Sequence, residues 1–178
     1  PALSPFTPMD FASVPAFVTT GPLSPKGRSA MSLNGAYDPD NIFAKIVRGE
    51  IPSARLYEDD AILALLDAFP QARGHSLVIH KTSRSRNILD AEPKTLGRLI
   101  GGVQKVARGL ESALKPAGLV VTQFNGAPAG QTIFHLHFHI IPRFEGEAVR
   151  PHAAGQMADA KELAALASQI SAAIKAGG

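Results

Sequence analysis

The sequence predicts an α+β fold in which an antiparallel sheet carries one long helix and a second helix at the C-terminal end. Three observations support this. Two apolar runs flank a turn-rich segment, a long amphipathic period follows them, and an alternating strand is entered through a glycine-containing turn. Strands gathered around a single intervening helix, without strict strand–helix alternation, favour antiparallel pairing.

Seven of the fourteen prolines fall within residues 1–40, where no helical or strand period is visible. Residues 1–38 therefore read as an extended arm, disordered or lying on the surface, and residues 39–178 as the domain. Residues 1–30 read as a non-essential leader, with Met31 just ahead of the domain start. An arm that orders on a neighbouring chain is the alternative. At the domain start, Asp40 is positioned to cap a short helix whose apolar side holds Ile42, Phe43, Ile46 and Val47, with Gly49 ending it. "AILALLDA" and "HSLVIH" read as strands on either side of the turn-rich "FPQARG". From Pro93 to Leu114 the residues Leu96, Leu99, Ile100, Val103, Ala107, Leu110 and Leu114 recur at helical spacing, and the proline stands in the first turn. "KPAG" stops this helix. "LVVTQF" is a strand, "NGAPAG" a turn and "TIFHLHFHII" the next strand, which predicts a hairpin. Asp159 and Glu162 resemble a capping box, opening a last helix with a stripe of Leu163, Leu166, Ile170 and Ile174.

Composition narrows the function. The chain has 178 residues, 45 % of them apolar and 19 % charged, enough to bury a core. Its net charge is +3, with no basic stripe interleaved with aromatics. Nucleic acid is therefore not the leading partner, and an anionic small molecule fits equally well. The absence of cysteine excludes disulfides, thiolate metal sites and cysteine nucleophiles, and it fits a reducing, cytoplasmic setting. No apolar run reaches the roughly 18 residues of a membrane span.

The stretch "QTIFHLHFHIIPR" places His135, His137 and His139 at every second position. On a strand these imidazoles share one face, about 6–7 Å apart at Cα, with Leu136, Phe138 and Ile140 on the other. A single strand histidine is more often a hydrogen-bonded core residue. Three in alternation point to chemistry, either as a metal site of three imidazoles or as nucleophilic catalysis by one neutral imidazole whose neighbours orient it. The loop leading into the row, Asn125–Thr132, favours catalysis. Gly126 and Gly130 permit close backbone approach, and backbone N–H groups beside the Thr132 hydroxyl suit an anion.

"HLHFHII" resembles the signature of the histidine triad (HIT) family, three histidines each followed by an apolar residue. "NIFAKIVRGEIPSARLYEDD", "LALLDAFPQARGHSLVIHK" and "NGAPAGQTIFHLHFHIIPR" resemble successive blocks of its bacterial, phosphoramidase-like branch, covering about residues 40–144. The resemblance implies hydrolysis of nucleoside 5′-phosphoramidates or related adenylylated compounds through a nucleotidyl-histidine. In that scheme His137 is the nucleophile, His139 contacts the phosphate oxygens, and His135 and His75 complete the histidine network. Gly130, Gln131 and Thr132 match the phosphate-binding turn, Asp67 the residue that grips the ribose hydroxyls, and Ile42, Phe43 and Ile46 the apolar wall around the base. Asn125 stands next to the place where relatives often carry a phosphate-side asparagine, here Phe124. The proton for the leaving group comes from His75 or His139. Many bacterial relatives carry a structural zinc, but its positions here hold Asn41, Ala44 and Ser83, so neither metal nor cofactor is expected. His80 reads as surface variation and His152 as solvent-exposed. A homodimer joined through its sheets and a purine nucleotide partner are also implied. The competing readings are a dinucleoside polyphosphate hydrolase, a metal-dependent enzyme using the three histidines as ligands, and a nucleotide-binding adaptor.

Overall fold

The computed structural model describes residues 33–148 and 156–177. Five strands form one sheet: β1 (Arg55–Glu58), β2 (Ile62–Leu66), β3 (Ser76–His80), β4 (Gly118–Thr122) and β5 (His137–Arg143). Their spatial order is β1-β2-β3-β5-β4, with every neighbouring pair antiparallel. Helix α1 spans Ile42–Val47, α2 spans Pro93–Leu114 and α3 spans Ala160–Ala176. The α+β architecture matches the sequence reading. β1 was not anticipated: it is four residues long, and a register shift between Arg55 and Tyr57 blurs its alternation.

The sheet is covered on both faces, which is why "ILALL" and "SLVIH" are continuously buried. On one face Ile62, Ala64, Leu66, Val78, Phe138 and Ile140 pack against Leu99, Val103, Val106 and Leu110 of α2 and Leu163, Ala167, Ile170 and Ile174 of α3. On the other, Leu63, Leu65, Leu77 and Ile79 meet Phe43 and Ile46 of α1. Gly109 allows the close approach of α2 and α3, since a Cβ there would overlap Ile174.

Two local expectations need correction. The cap of α1 is Asn41, not Asp40: the Asn41 Oδ1 accepts the Ala44 N–H at 3.0 Å. Ile100 lies outside the buried stripe of α2 at 50 % exposure, because Gly102 and Val106 share the buried face with Val103. The N-terminal cap of α3 was legible, with the Asp159 carboxylate accepting the Lys161 and Glu162 N–H groups. His152 lies outside the described residues.

β5 runs between β3 and β4 and pairs with both. His139 stands opposite Leu77 on one side and Thr122 on the other, and His137 stands opposite Ile79. Two imidazoles are thus fixed on a central strand, on the face shared with α1.

Candidate active site

The ordered row of three histidines is broken at its first member. β5 begins at His137, and Ile133–His135 form a bend, so His135 is not part of the strand. The cause is the carbonyl groups of this segment. The Ile133 carbonyl accepts from the Gln131 side chain, and the His135 carbonyl accepts from the His137 ring, so neither serves a ladder. The three rings remain close. Phe43 stands edge-on to His137 at 4.9 Å between centroids and to His135 at 6.0 Å, and His137 and His139 are 4.8 Å apart.

Each ring has its tautomer set by a partner that can play only one hydrogen-bonding role. The His137 Nδ1 lies 2.6 Å from the His135 carbonyl oxygen, so Nδ1–H donates, and in the neutral ring Nε2 holds the lone pair. The His135 Nε2 lies 3.2 Å from the His80 carbonyl and must donate, which leaves its Nδ1 to accept from the Tyr37 hydroxyl at 2.8 Å. The Gln71 N–H donates to the His75 Nδ1 at 3.2 Å, so the His75 hydrogen is on Nε2. That Nε2–H donates to the His139 Nδ1 at 3.0 Å, placing the His139 hydrogen on Nε2. An unprotonated nitrogen on the neutral His137 ring and an N–H donor on His139 therefore sit on rings 4.8 Å apart.

All four rings are buried: His75, His135, His137 and His139 are at or below 5 % exposure. The His135 ring is pulled down to about 4 by burial, against the His80 carbonyl that favours its charged form. Asp67 follows β2 and lies 3.4 Å from the His75 Nδ1 through its Oδ2. Burial pushes its carboxyl up to about 6, while the Phe69 N–H donating to Oδ1 pulls the other way.

These two shifts act on stability with opposite sign. The raised Asp67 contributes stability that is complete below about pH 4 and lost as pH rises through 6. The lowered His135 contributes stability that is complete above about pH 6.5 and lost as pH falls through 4. Each is worth about 3 kcal/mol on a full shift. Denaturant unfolding of Asp67→Asn should therefore show a steeper loss on acidification from pH 6.5 to 4 than the wild type. Parallel curves would mean that Asp67 ionises in the fold as it does in the unfolded chain.

The glycine loop is built differently from the expected cradle. Its N–H groups turn inward: Ala129 and Gln131 donate to the Gly126 carbonyl, Gly130 to Ala127, and Gly126 to the Gln131 Oε1. Gly130 adopts φ +99°, a left-handed conformation that other residues rarely hold. The Gln131 side chain is 2 % exposed and its Nε2 donates to the Arg86 and Ile133 carbonyls, so it shapes the loop. Asn125 is also committed, its Oδ1 accepting the Ile88 N–H at 3.1 Å. Thr132 is exposed at the mouth of this loop. Of the apolar trio, Phe43 and Ile46 are core residues and Ile42 is partly exposed. His80, read as surface variation, is only 9 % exposed, and its ring Nδ1 accepts the Ser83 N–H.

Sequence reasoning missed Tyr37 and the segment that carries it. The Leu33 and Ala36 carbonyls accept from Asn87 and Arg86, which straps residues 33–37 over the site. Residues 1–32 lie outside the described part. Tyr37→Phe removes the only role available to the His135 Nδ1 in this bond, and should lower turnover about 10-fold, as expected for one buried hydrogen bond. Steady-state rates alongside an unfolding curve check this. An unchanged rate would remove Tyr37 from the site.

The residues do not fit the structural zinc of related proteins. Ala44 offers no ligand atom, the Asn41 side chain caps α1, and the Ser83 hydroxyl pairs with Ser85 at 2.8 Å. Nor do the three histidines of the row form a ligand set. Among the described residues, the metal-capable atoms that gather within 4.8 Å belong to Asp67, His75 and His139.

An antiparallel α+β sheet with paired imidazoles on its central strand and a glycine loop ahead of it defines a histidine-triad class of site. Residues 48–146 match the HIT domain family, and the chain belongs to that family. It is similar to the crystal structure of a HIT-like protein from Bartonella henselae, with 49 % identity, a TM-score of 0.73, and coverage of 78 % of this chain and 99 % of that one. A histidine triad nucleotide-binding protein of Sulfolobus tokodaii superposes with a TM-score of 0.69 at 34 % identity, covering 75 % and 91 %. The adenylylsulfatase HINT3 of Arabidopsis thaliana is 38 % identical over 110 residues, 62 % of this chain and 55 % of that longer protein. Among the described residues no helix is long and apolar enough to cross a membrane.

Proposed function

We propose that the protein hydrolyses nucleotides at the α-phosphorus, acting on nucleoside 5′-phosphoramidates or related adenylylated compounds through a nucleotidyl-His137 intermediate. The observation that carries this is the tautomer chain. The His135 carbonyl holds the hydrogen on the His137 Nδ1, so Nε2 is the attacking atom. A P–Nε2 bond forms as the bond to the amine breaks, and the amine leaves with the proton of the His139 Nε2. Water then attacks phosphorus, the P–Nε2 bond breaks, and a nucleoside monophosphate is released. Splitting one displacement into two lowers each barrier. Family membership and a relative named for adenylylsulfatase activity support a substrate with an adenylyl group. Asp67, at the end of β2, is the candidate ribose ligand, and Thr132 the candidate phosphate contact.

A homodimer is part of this reading. β4 is a sheet edge, and Val120 and Val121 on it are 40 % and 47 % exposed, which suits pairing with a second copy. The test of function is incubation with adenosine 5′-phosphoramidate and, separately, diadenosine tetraphosphate, with product analysis and intact-chain mass. AMP release from the first and a chain heavier by one adenylyl group support the proposal. Exclusive turnover of the tetraphosphate would transfer the site to polyphosphate cleavage, and no turnover of either would contradict it.

A further inference from the structure

Asp67 stands where it can do more than hold a sugar. Its Oδ2 is 3.4 Å from the His75 Nδ1, and the His75 Nε2 is 3.0 Å from the His139 Nδ1. A carboxyl group, two imidazoles and the donor beside the nucleophile thus form one line of proton-exchanging atoms. Asp67 is the end of that line nearest solvent, its side chain 16 % exposed against 0 % for His75. The His75 Nδ1 is an acceptor, taken by the Gln71 N–H at 3.2 Å, so a proton arriving from Asp67 displaces that hydrogen bond.

From this geometry we propose that Asp67 is the proton reservoir of a His75–His139 relay, a positioning and proton-supplying residue for departure of the leaving group. The proposal rests on the hydrolytic reading above. In the first step a proton passes from the Asp67 carboxyl to the His75 Nδ1, the His75 Nε2–H passes to the His139 Nδ1, and the His139 Nε2–H passes to the departing amine. Both rings exchange tautomers, remain neutral, and leave Asp67 as the carboxylate. When water attacks the nucleotidyl-His137, its proton enters at the His139 Nε2 and the relay runs backward. The carboxyl and both tautomers are restored, so no proton is created or lost over the cycle.

The surroundings suit such a line. Ring contacts place His137 on β5 beside His139, and His139 on β5 beside His75 before β3, with Asp67 after β2 at the far side of His75. Phe124, from the loop after β4, covers His139 edge-on at 5.4 Å and shields the path from water. The elevated proton affinity that burial gives Asp67 keeps part of its population protonated near neutrality.

The test is Asp67→Asn. The variant has the same shape, and its Oδ1 still accepts the Phe69 N–H, so the fold is retained. The expected result is a kcat lower on the order of 100-fold, with the wild-type inflection near pH 6 absent from the kcat–pH profile. A residue that only gripped ribose would raise KM and leave that profile intact, which would overturn the proposal. An independent readout uses the ligand-free protein. ¹⁵N resonances of the His75 and His139 rings should share an inflection near pH 6 in the wild type and lose it in Asp67→Asn. Identical titrations in both proteins would overturn the relay whatever the substrate is. A wild type inert toward phosphoramidates that still showed the shared inflection would instead overturn the hydrolytic reading and support the relay.

Discussion

Alanine at position 137 is expected to abolish AMP release from adenosine 5′-phosphoramidate, with a fall in turnover on the order of 10⁴-fold or more, as for loss of other covalent nucleophiles. The fold should survive. The ring donates to the His135 carbonyl and stands edge-on to Phe43 and His139. The flanking ladder from Phe138 onward does not depend on it. Neighbouring substitutions should behave differently. In the proposed mechanism His139→Ala removes the proton donor and keeps the nucleophile, so a substrate whose leaving group needs no proton should still react and leave an adenylylated chain. His137→Ala should give no adduct with any substrate. Activity above about one hundredth of wild type in His137→Ala would show that another group attacks phosphorus.

The second large effect is expected at Gln131, although its side chain does not face the site. It holds three backbone groups at once: the Gly126 N–H at 2.8 Å, the Arg86 carbonyl at 2.6 Å and the Ile133 carbonyl at 3.1 Å. Gln131→Leu keeps the volume and leaves all three without that partner. Buried, unpaired backbone groups cost about 1–3 kcal/mol each, so a loss of roughly 3 kcal/mol or more in unfolding free energy is expected. Turnover should fall too, because the bend after Gln131 places the His135 carbonyl that fixes the His137 tautomer. Gln131→Glu keeps the acceptor for Gly126 but sets a buried carboxylate oxygen against the Arg86 and Ile133 carbonyls, so its defect should be at least as large as that of Gln131→Leu. Denaturant titration with parallel rates measures both. A destabilised Gln131→Leu with full activity would separate the loop from the chemistry.

How much of this was legible in the sequence depends on how local the physics is. Helix α2 was readable to its ends because Pro93 opens it and Leu99, Val103 and Leu110 repeat at its pitch. Paired imidazoles at His137 and His139 followed from strand alternation alone. His135 did not, because the Ile133 and His135 carbonyls are taken by the Gln131 and His137 side chains, and Gln131 is itself anchored on the Arg86 carbonyl, 45 residues away. The wiring of the loop was hidden for a related reason. Glycines signal a tight turn, but not that the Gly130 N–H is taken by the 3₁₀ turn at Ala127–Ala129 and the Gly126 N–H by the Gln131 Oε1. Tyr37 was invisible because its partner is 98 residues distant and the preceding arm carries no period. The identity of His75 as a network member came from resemblance. Its tautomer came from Gln71, which only the folded backbone places there.

The chemistry assigned to this site depends on a single proton position, and long-range ¹H–¹⁵N NMR of the histidine rings in the uncomplexed protein reads it directly. The expected spectrum at neutral pH shows the His137 ring neutral, with its hydrogen on Nδ1 and Nε2 unprotonated. A His137 ring carrying hydrogen on Nε2, or on both nitrogens, would contradict the account, because no lone pair would then face phosphorus.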